Sequence, residues 1–299
     1  MIPSLEELLA LRGAAQGLAL GGGRLARASS LGAHASTHRG RGLEFQEVRP
    51  YVAGDDPRSI DWRVTARRGR VHTKLFREER EQPVWLLVDL QPGLFFGTRR
   101  QLKSALAVRA AALLAWTACL GGDRVGSVVC RGEGAVGISA ARARQAGVLP
   151  LLENLLKLQP RAPAAPAPES LEQGLRALAA LARPGSQVLV ISDFATLEER
   201  TTSLWSALGA HSELQLFWIT DVLEEQGLPP GRFRAGLPER LRILEGARLG
   251  ERWRAAWRER EHRLEALCRR TGAQRFRLDT REEVQTTLRP LLAGRRRAA

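Results

Sequence analysis

From position 83 onward, short continuous apolar runs alternate with longer stretches whose apolar residues recur every three or four positions. Val84–Leu90 ("VWLLVDL"), Gln187–Phe194 ("QVLVISDF") and Glu213–Thr220 ("ELQLFWIT") read as strands buried on both faces. Arg124–Cys130 reads as a further strand, with Gly134–Ser139 as its hairpin partner, and Gln274–Leu278 as the last strand. Between them the spacing predicts helices over 98–120, 141–158, 171–181, 197–208 and 250–270. The last of these carries Trp253, Trp257, Leu264 and Leu267 on one stripe. Asp279 with Glu282 is expected to cap a final helix. Alternating strands and helices of this kind give an α/β fold, a mostly parallel sheet with helices on both faces. Ligands of such sheets sit beyond the carboxyl ends of the strands, where Asp89, Asp193 and Asp221 fall.

The first 81 residues follow a different pattern. Ser4 and Glu7 form a capping-box spacing at the head of a helix over 4–20, with Leu5, Leu8, Leu9, Arg12 and Ala15 at helical spacing. Gly21–Gly23 ends it, and 24–37 reads as a loop or edge strand. "LEFQEVRPYV" (Leu43–Val52) alternates and reads extended, as does "RVHTKLF" (Arg70–Phe76). Between these lies "GDDPRSIDW" (Gly54–Trp62), read as a turn and then a short helix, with Asp56 as N-cap, Pro57 at the first position and Gly69 just past the end. The expected division is therefore 1–81 and 82–299.

Composition narrows the function. The 299 residues carry a formal charge of +14, yet only Lys74, Lys103 and Lys157 among the 46 basic residues are lysines. The arginines are spread along the chain and interleaved with acids, so nucleic acid is not the expected partner. Cys119, Cys130 and Cys268 form no CxxC pair and read as buried small hydrophobes. The opening residues do not read as a secretory signal, and the apolar run Ala110–Leu120 is short for a bilayer, so a cytoplasmic protein without a membrane span is expected. No GxGxxG or Walker loop follows any strand.

"GRGLEFQEVRPYVAGDDPRSIDWRVTARRGRVHTKLFREERE" (Gly40–Glu81) closely resembles the signature of the bacterial family called domain of unknown function 58. "LLVDLQPGLFFGT", "VLVISDF" and "TDVLEEQGLP" are similar to later segments of the same family. The resemblance implies a von Willebrand factor A-like, Rossmann-like domain from about Gln82, preceded by a family-specific N-terminal region. It also implies association with a MoxR-type AAA+ ATPase and a client protein, in a chaperone-like role, and carries no established reaction.

A von Willebrand A-like domain often holds Mg²⁺ on an Asp-x-Ser-x-Ser loop, a Thr and a later Asp, all hard oxygen donors. Here the loop reads Asp89-Leu90-Gln91-Pro92-Gly93, Ser170 stands near the Thr position, and Asp193 matches the last acid. The set Asp89, Gln91, Ser170 and Asp193 is thus a degenerate metal-ion-dependent adhesion site, with no cofactor expected.

For the N-terminal block the expectation is a charge-matched structural or docking network of Glu44, Arg49, Gly54, Asp55, Asp56, Arg58 and Asp61, anchored by the packing of Tyr51 and Trp62. The expected function is a non-enzymatic interaction module using the carboxyl end of its sheet, around Asp89–Gly93 and Asp193–Ala195. Two rivals are a metal-dependent hydrolase built on Asp55, Asp56 and Asp89, and an Arg-rich nucleic-acid binder.

Overall fold

The computed structural model describes residues 2–20, 43–52, 55, 57–78, 83–235 and 242–293. The chain forms two compact units, one of Met1–Ser30 with Gln82–Ala299 and one of Leu31–Glu81. The first helix therefore belongs with the sheet, unlike the expected grouping of 1–81, while the second junction falls at 81/82 as expected.

The larger unit is a mixed α/β structure around a six-stranded sheet in the order β10-β7-β6-β3-β4-β5. Its strands are β3 (Pro83–Asp89), β4 (Arg124–Gly132), β5 (Ala135–Arg142), β6 (Gln187–Ser192), β7 (Glu213–Thr220) and β10 (Gln274–Asp279). All pairings are parallel except the hairpin of β4 with β5. Alternation along β3 feeds two layers. Val84, Leu86 and Val88 join one core with α1 (Leu5–Ala14), α3 (Lys103–Leu120), α4 (Gln145–Leu158) and α9 (Val284–Ala293). Trp85 and Leu87 join the other, with α5 (Ser170–Leu181), α6 (Thr202–His211) and α8 (Gly246–Thr271). Both faces are covered, which is why Val84–Val88 of β3 is apolar at every position.

Helix α3 is long and apolar enough to cross a membrane by length and composition, a property the shorter run 110–120 did not reveal. In this fold 83% of it is buried against its neighbours. Helix α1 covers it: Leu8, Leu11, Ala15 and Leu18 are buried, and Trp116 Nε1 donates to the Leu8 carbonyl at 3.0 Å. The buried stripe is thus shifted from the one expected, and Leu5 and Leu9 face outward. Ser4 Oγ accepts from the Glu7 amide, but the Glu7 carboxylate pairs with Arg109 of α3 instead of completing a capping box.

Other boundaries move for identifiable reasons. Helix α3 starts at Lys103, not 98, because the Thr98 amide and hydroxyl both donate to Asp221. Helix α4 starts at Gln145 because β5 extends to Arg142. Asp279 caps no helix: α9 begins at Val284, and Asp279 accepts from the Arg281 amide in a turn. The hairpin of β8 (Arg232–Ala235) and β9 (Arg242–Glu245), and the short α7 (Val222–Gln226), have no counterpart among the expected elements.

In the smaller unit, β1 (Leu43–Pro50) pairs antiparallel with β2 (His72–Glu78), and Pro57–Ser59 forms a 3₁₀ turn before α2 (Trp62–Arg68). Its N-cap is Asp61, whose side chain accepts from the Arg63 and Val64 amides. The expected N-cap, Asp56, lies outside the described residues, but the helix starts five residues later than that reading requires. Gly69 ends the helix with φ +66°, the left-handed conformation expected of it.

Candidate functional site at the carboxyl ends of the strands

Four adjacent parallel strands end in an aspartate: Asp279 closes β10, Asp221 follows β7, Asp193 follows β6 and Asp89 closes β3. Each accepts a hydrogen bond from the amide two residues on, that of Arg281, Leu223, Ala195 and Gln91 respectively. This local turn is what Asp does best where a strand must stop and the chain turn back. The remaining lone pairs distinguish the four.

Asp279 takes the Arg281 guanidinium and a longer contact from Arg277. Asp221 accepts from the Thr98 amide and hydroxyl at 2.9 and 2.6 Å and from the Thr280 hydroxyl at 2.6 Å, tying three loops together. Burial works to raise its pKa, and the hydrogen bonds from Thr280 and Thr98 outweigh it, holding the carboxyl below its usual range.

Asp193 is paired with a cation. Lys103 Nζ lies 2.7 Å from Asp193 Oδ2 and 2.9 Å from Glu224 Oε1. Arg260 reaches the same Glu224 oxygen at 3.5 Å. Burial opposes ionisation of both Lys103 and Asp193, but their mutual attraction wins: the Lys103 pKa is raised and that of Asp193 is lowered. Lys103 opens α3, where the helix dipole disfavours a cation. Phe194, next to Asp193, holds φ at +52°, uncommon for a bulky residue, with its ring buried against Trp205.

Among the described residues, Asp89 has no such cation. It is fully buried, and accepts from the hydroxyls of Ser170 and Ser192, both at 2.8 Å. Burial first, and the Asp193 charge second, push its pKa up to about 6 against the hydrogen bonds from the two serines.

The structure thus brings Asp89, Ser170 and Asp193 to one place. Gln91 is there too, but its Oε1 accepts from the amides of Gly93 and Ala167. A Cβ on Gly93 would stand 2.8 Å from that oxygen, so glycine is what lets the Gln91 side chain fold back. The donor set does not suit a divalent cation. The Asp89 oxygens are committed to hydroxyls and an amide, Gln91 is turned to backbone, and Lys103 supplies the positive charge on Asp193. No group of three or more acidic, His or Cys side chains suited to a metal occurs among the described residues.

Beside these acids opens a cavity of about 350 Å³, lined by Gly93, Phe96, Glu224, Trp253, Trp257 and Arg260 among others. Sequence reasoning did not single out Lys103, Ser192, Glu224 or Arg260. Lys103 left one signal, a lysine among arginines at a helix start; Ser192, Glu224 and Arg260 are set by contacts 103, 121 and 36 positions apart.

In the smaller unit, Arg49 donates to Asp55 at 2.7 Å, and Asp55 also accepts from the Val52 amide. The Val52 hydrogen bond, then that from Arg49, hold the Asp55 pKa below its usual value. Tyr51 is half-buried and donates to the Asp55 carbonyl at 3.2 Å. Trp62 corrects the expectation: at the first position of α2 it is 69% exposed, too open to anchor the network by burial. Arg58 and Asp61 are both bonded. Gly54 and Asp56, and the side chain of Glu44, lie outside the described residues. Asp55 and Asp89 belong to different units, and each is satisfied within its own.

The model of the family "Protein of unknown function DUF58" matches residues 47–266. The chain belongs to this family. Uncharacterized proteins of Mycobacterium bovis and Mycobacterium tuberculosis are 35% identical to it over 163 residues, 54% of this chain and 50% of each relative. The match spans about half the length of these curated relatives. Among solved structures, the chain is similar to the conserved hypothetical protein BatB from Bacteroides thetaiotaomicron, with a TM-score of 0.43 and 11% identity over 73% of this chain and all of that one. An aerotolerance-related membrane protein from Bacteroides fragilis gives a TM-score of 0.42 at 11% identity, covering 70% of this chain and 97% of that one.

Proposed function

We propose that this DUF58 protein is a non-enzymatic, von Willebrand factor A-like interaction module of the cytoplasm. In this reading it works with a MoxR-type AAA+ ATPase to assemble or remodel a client complex. It presents the carboxyl end of its sheet, from Asp89–Gly93 to Asp193–Ala195, as the docking face. The observation that carries the reading is the state of the strand-end carboxylates. Asp89, Asp193, Asp221 and Asp279 are each held by hydroxyls, amides or cations of this chain. They order the loops of one face and are not poised over a reacting centre. Beside them, aromatic side chains and an arginine line an open cavity, the residue types enriched where proteins dock.

The test is capture of the endogenous ATPase from the native cell by the tagged full chain, identified by mass. Co-purification that is lost when Phe96 and Trp253 are replaced by Ser supports the reading. Capture unaffected by those changes, or no capture under conditions that preserve ATPase hexamers, overturns it.

A further inference from the structure

We infer that the cavity between the β3–α3 loop and α8 receives a partner segment in which an aromatic or large aliphatic side chain stands next to a carboxylate. The inference rests on the docking-face reading and names the chemistry of what docks. The cavity, at about 350 Å³, lies at the lower end of the range of ligand sites, enough for one large side chain and its neighbour.

Its apolar walls are built to stay in place. Trp257 stacks on Trp218 with ring centroids 4.5 Å apart, and the Arg277 guanidinium covers it at 5.2 Å. Phe96 meets Trp253 edge-on at 6.5 Å, and both are only half-buried, so these two rings form the lip. A rigid aromatic slot takes an apolar side chain with little ordering cost.

The polar groups of the cavity select the neighbour. Glu224 is consumed: one oxygen accepts from Lys103 and Arg260, the other from the Asp221 amide. Arg260 is not. Its ion pair with Glu224 is 3.5 Å long, and a guanidinium carries five donors in a fork that matches a carboxylate. It retains 17% side-chain exposure, at the cavity. A carboxylate one residue from the inserted side chain satisfies those donors. The chain's charge of +14 also draws acidic segments toward it before contact.

The probes are three capped peptides, acetyl-Gly-Phe-Glu-Gly-amide, its Gln analogue and an Ala-Glu analogue. They are titrated into the full chain with the tryptophan indole N–H signals followed by NMR. The Phe-Glu peptide is expected to saturate and to shift the Trp253 signal, identified by its loss in Trp253→Phe. The Phe-Gln peptide should bind about tenfold more weakly, the worth of a charge-assisted hydrogen bond. Arg260→Gln should abolish that difference. No saturable binding, equal affinity for Phe-Glu and Phe-Gln, or shifts confined to other indoles each overturn the inference. If Arg260→Gln does not fold, the comparison of the two peptides on the wild type decides. Failure of the peptides with capture of the ATPase retained removes this inference alone. Peptide binding without capture removes the ATPase reading alone.

Discussion

Lys103 Nζ sits 2.7 Å from Asp193 Oδ2, and both side chains are 2% exposed. The pair joins the start of α3 to the loop after β6, two segments ninety residues apart. Breaking a buried pair by removing one partner strands the other charge. Lys103→Met should therefore cost about 3–5 kcal/mol in guanidinium denaturation at neutral pH. The double variant Lys103→Met/Asp193→Asn should recover a large part of that loss. A Lys103→Met protein as stable as the wild type would show that the pair holds nothing together.

Asp89 behaves in the opposite sense. Its folded pKa of about 6 stands above the usual 3.8, so the fold favours the protonated form. Stability from this group is present at low pH and is lost as pH rises through about 6. A shift of about two units corresponds to about 3 kcal/mol. Asp89→Asn keeps one acceptor, for Ser170 and the Gln91 amide, turns an NH2 donor toward the Ser192 oxygen in place of the second acceptor, and removes the charge. It should raise the melting temperature at pH 8 and leave it nearly unchanged at pH 4. A variant less stable than the wild type at pH 8 contradicts this.

The same geometry predicts indifference to metal. Mg²⁺ should bind more weakly than millimolar, and neither Mg²⁺ nor EDTA should move the melting temperature. Calorimetry showing micromolar, Asp89-dependent binding would mean that the serine hydroxyls and Lys103 give way to an ion.

What the sequence makes legible follows the range of the interactions. β3, β6 and β7 are readable because two-sided burial leaves the continuous apolar runs Val84–Val88, Val188–Ile191 and Leu216–Ile219, and their ends because Asp closes its own turn. Gly69 is readable because only a local left-handed residue is needed. Lys103 pairing with Asp193 and Glu224, and Thr98 with Asp221, are contacts across 90 to 123 positions that leave no periodic trace. Trp62 misleads because an aromatic beside charges looks like an anchor, whereas on α2 it stands exposed.

Asp61, not a residue upstream, starts α2. Asp61→Ala should cost about 1 kcal/mol, the usual worth of an N-cap. Hydrogen exchange should accelerate at the Arg63 and Val64 amides, which Asp61 accepts from. Unchanged protection of those two amides would move the cap elsewhere.

Helix α1 makes the last prediction, because it decides where the sheet unit ends. Leu8 is fully buried, and its carbonyl accepts from Trp116 in the middle of α3. Leu8→Ala leaves a void beside α3 and should cost about 2–5 kcal/mol. Removing residues 1–18 is a larger change: it bares Trp116 and the α3 face beneath α1, and leaves Arg109 without Glu7. A chain lacking residues 1–18 should therefore expose apolar surface, bind a hydrophobic dye and melt well below the full chain. Adding back a peptide of residues 2–20 in trans should raise that melting temperature, and should do so less well when it carries Leu8→Ala. Equal melting of the truncated and full chains would return α1 to the charged block.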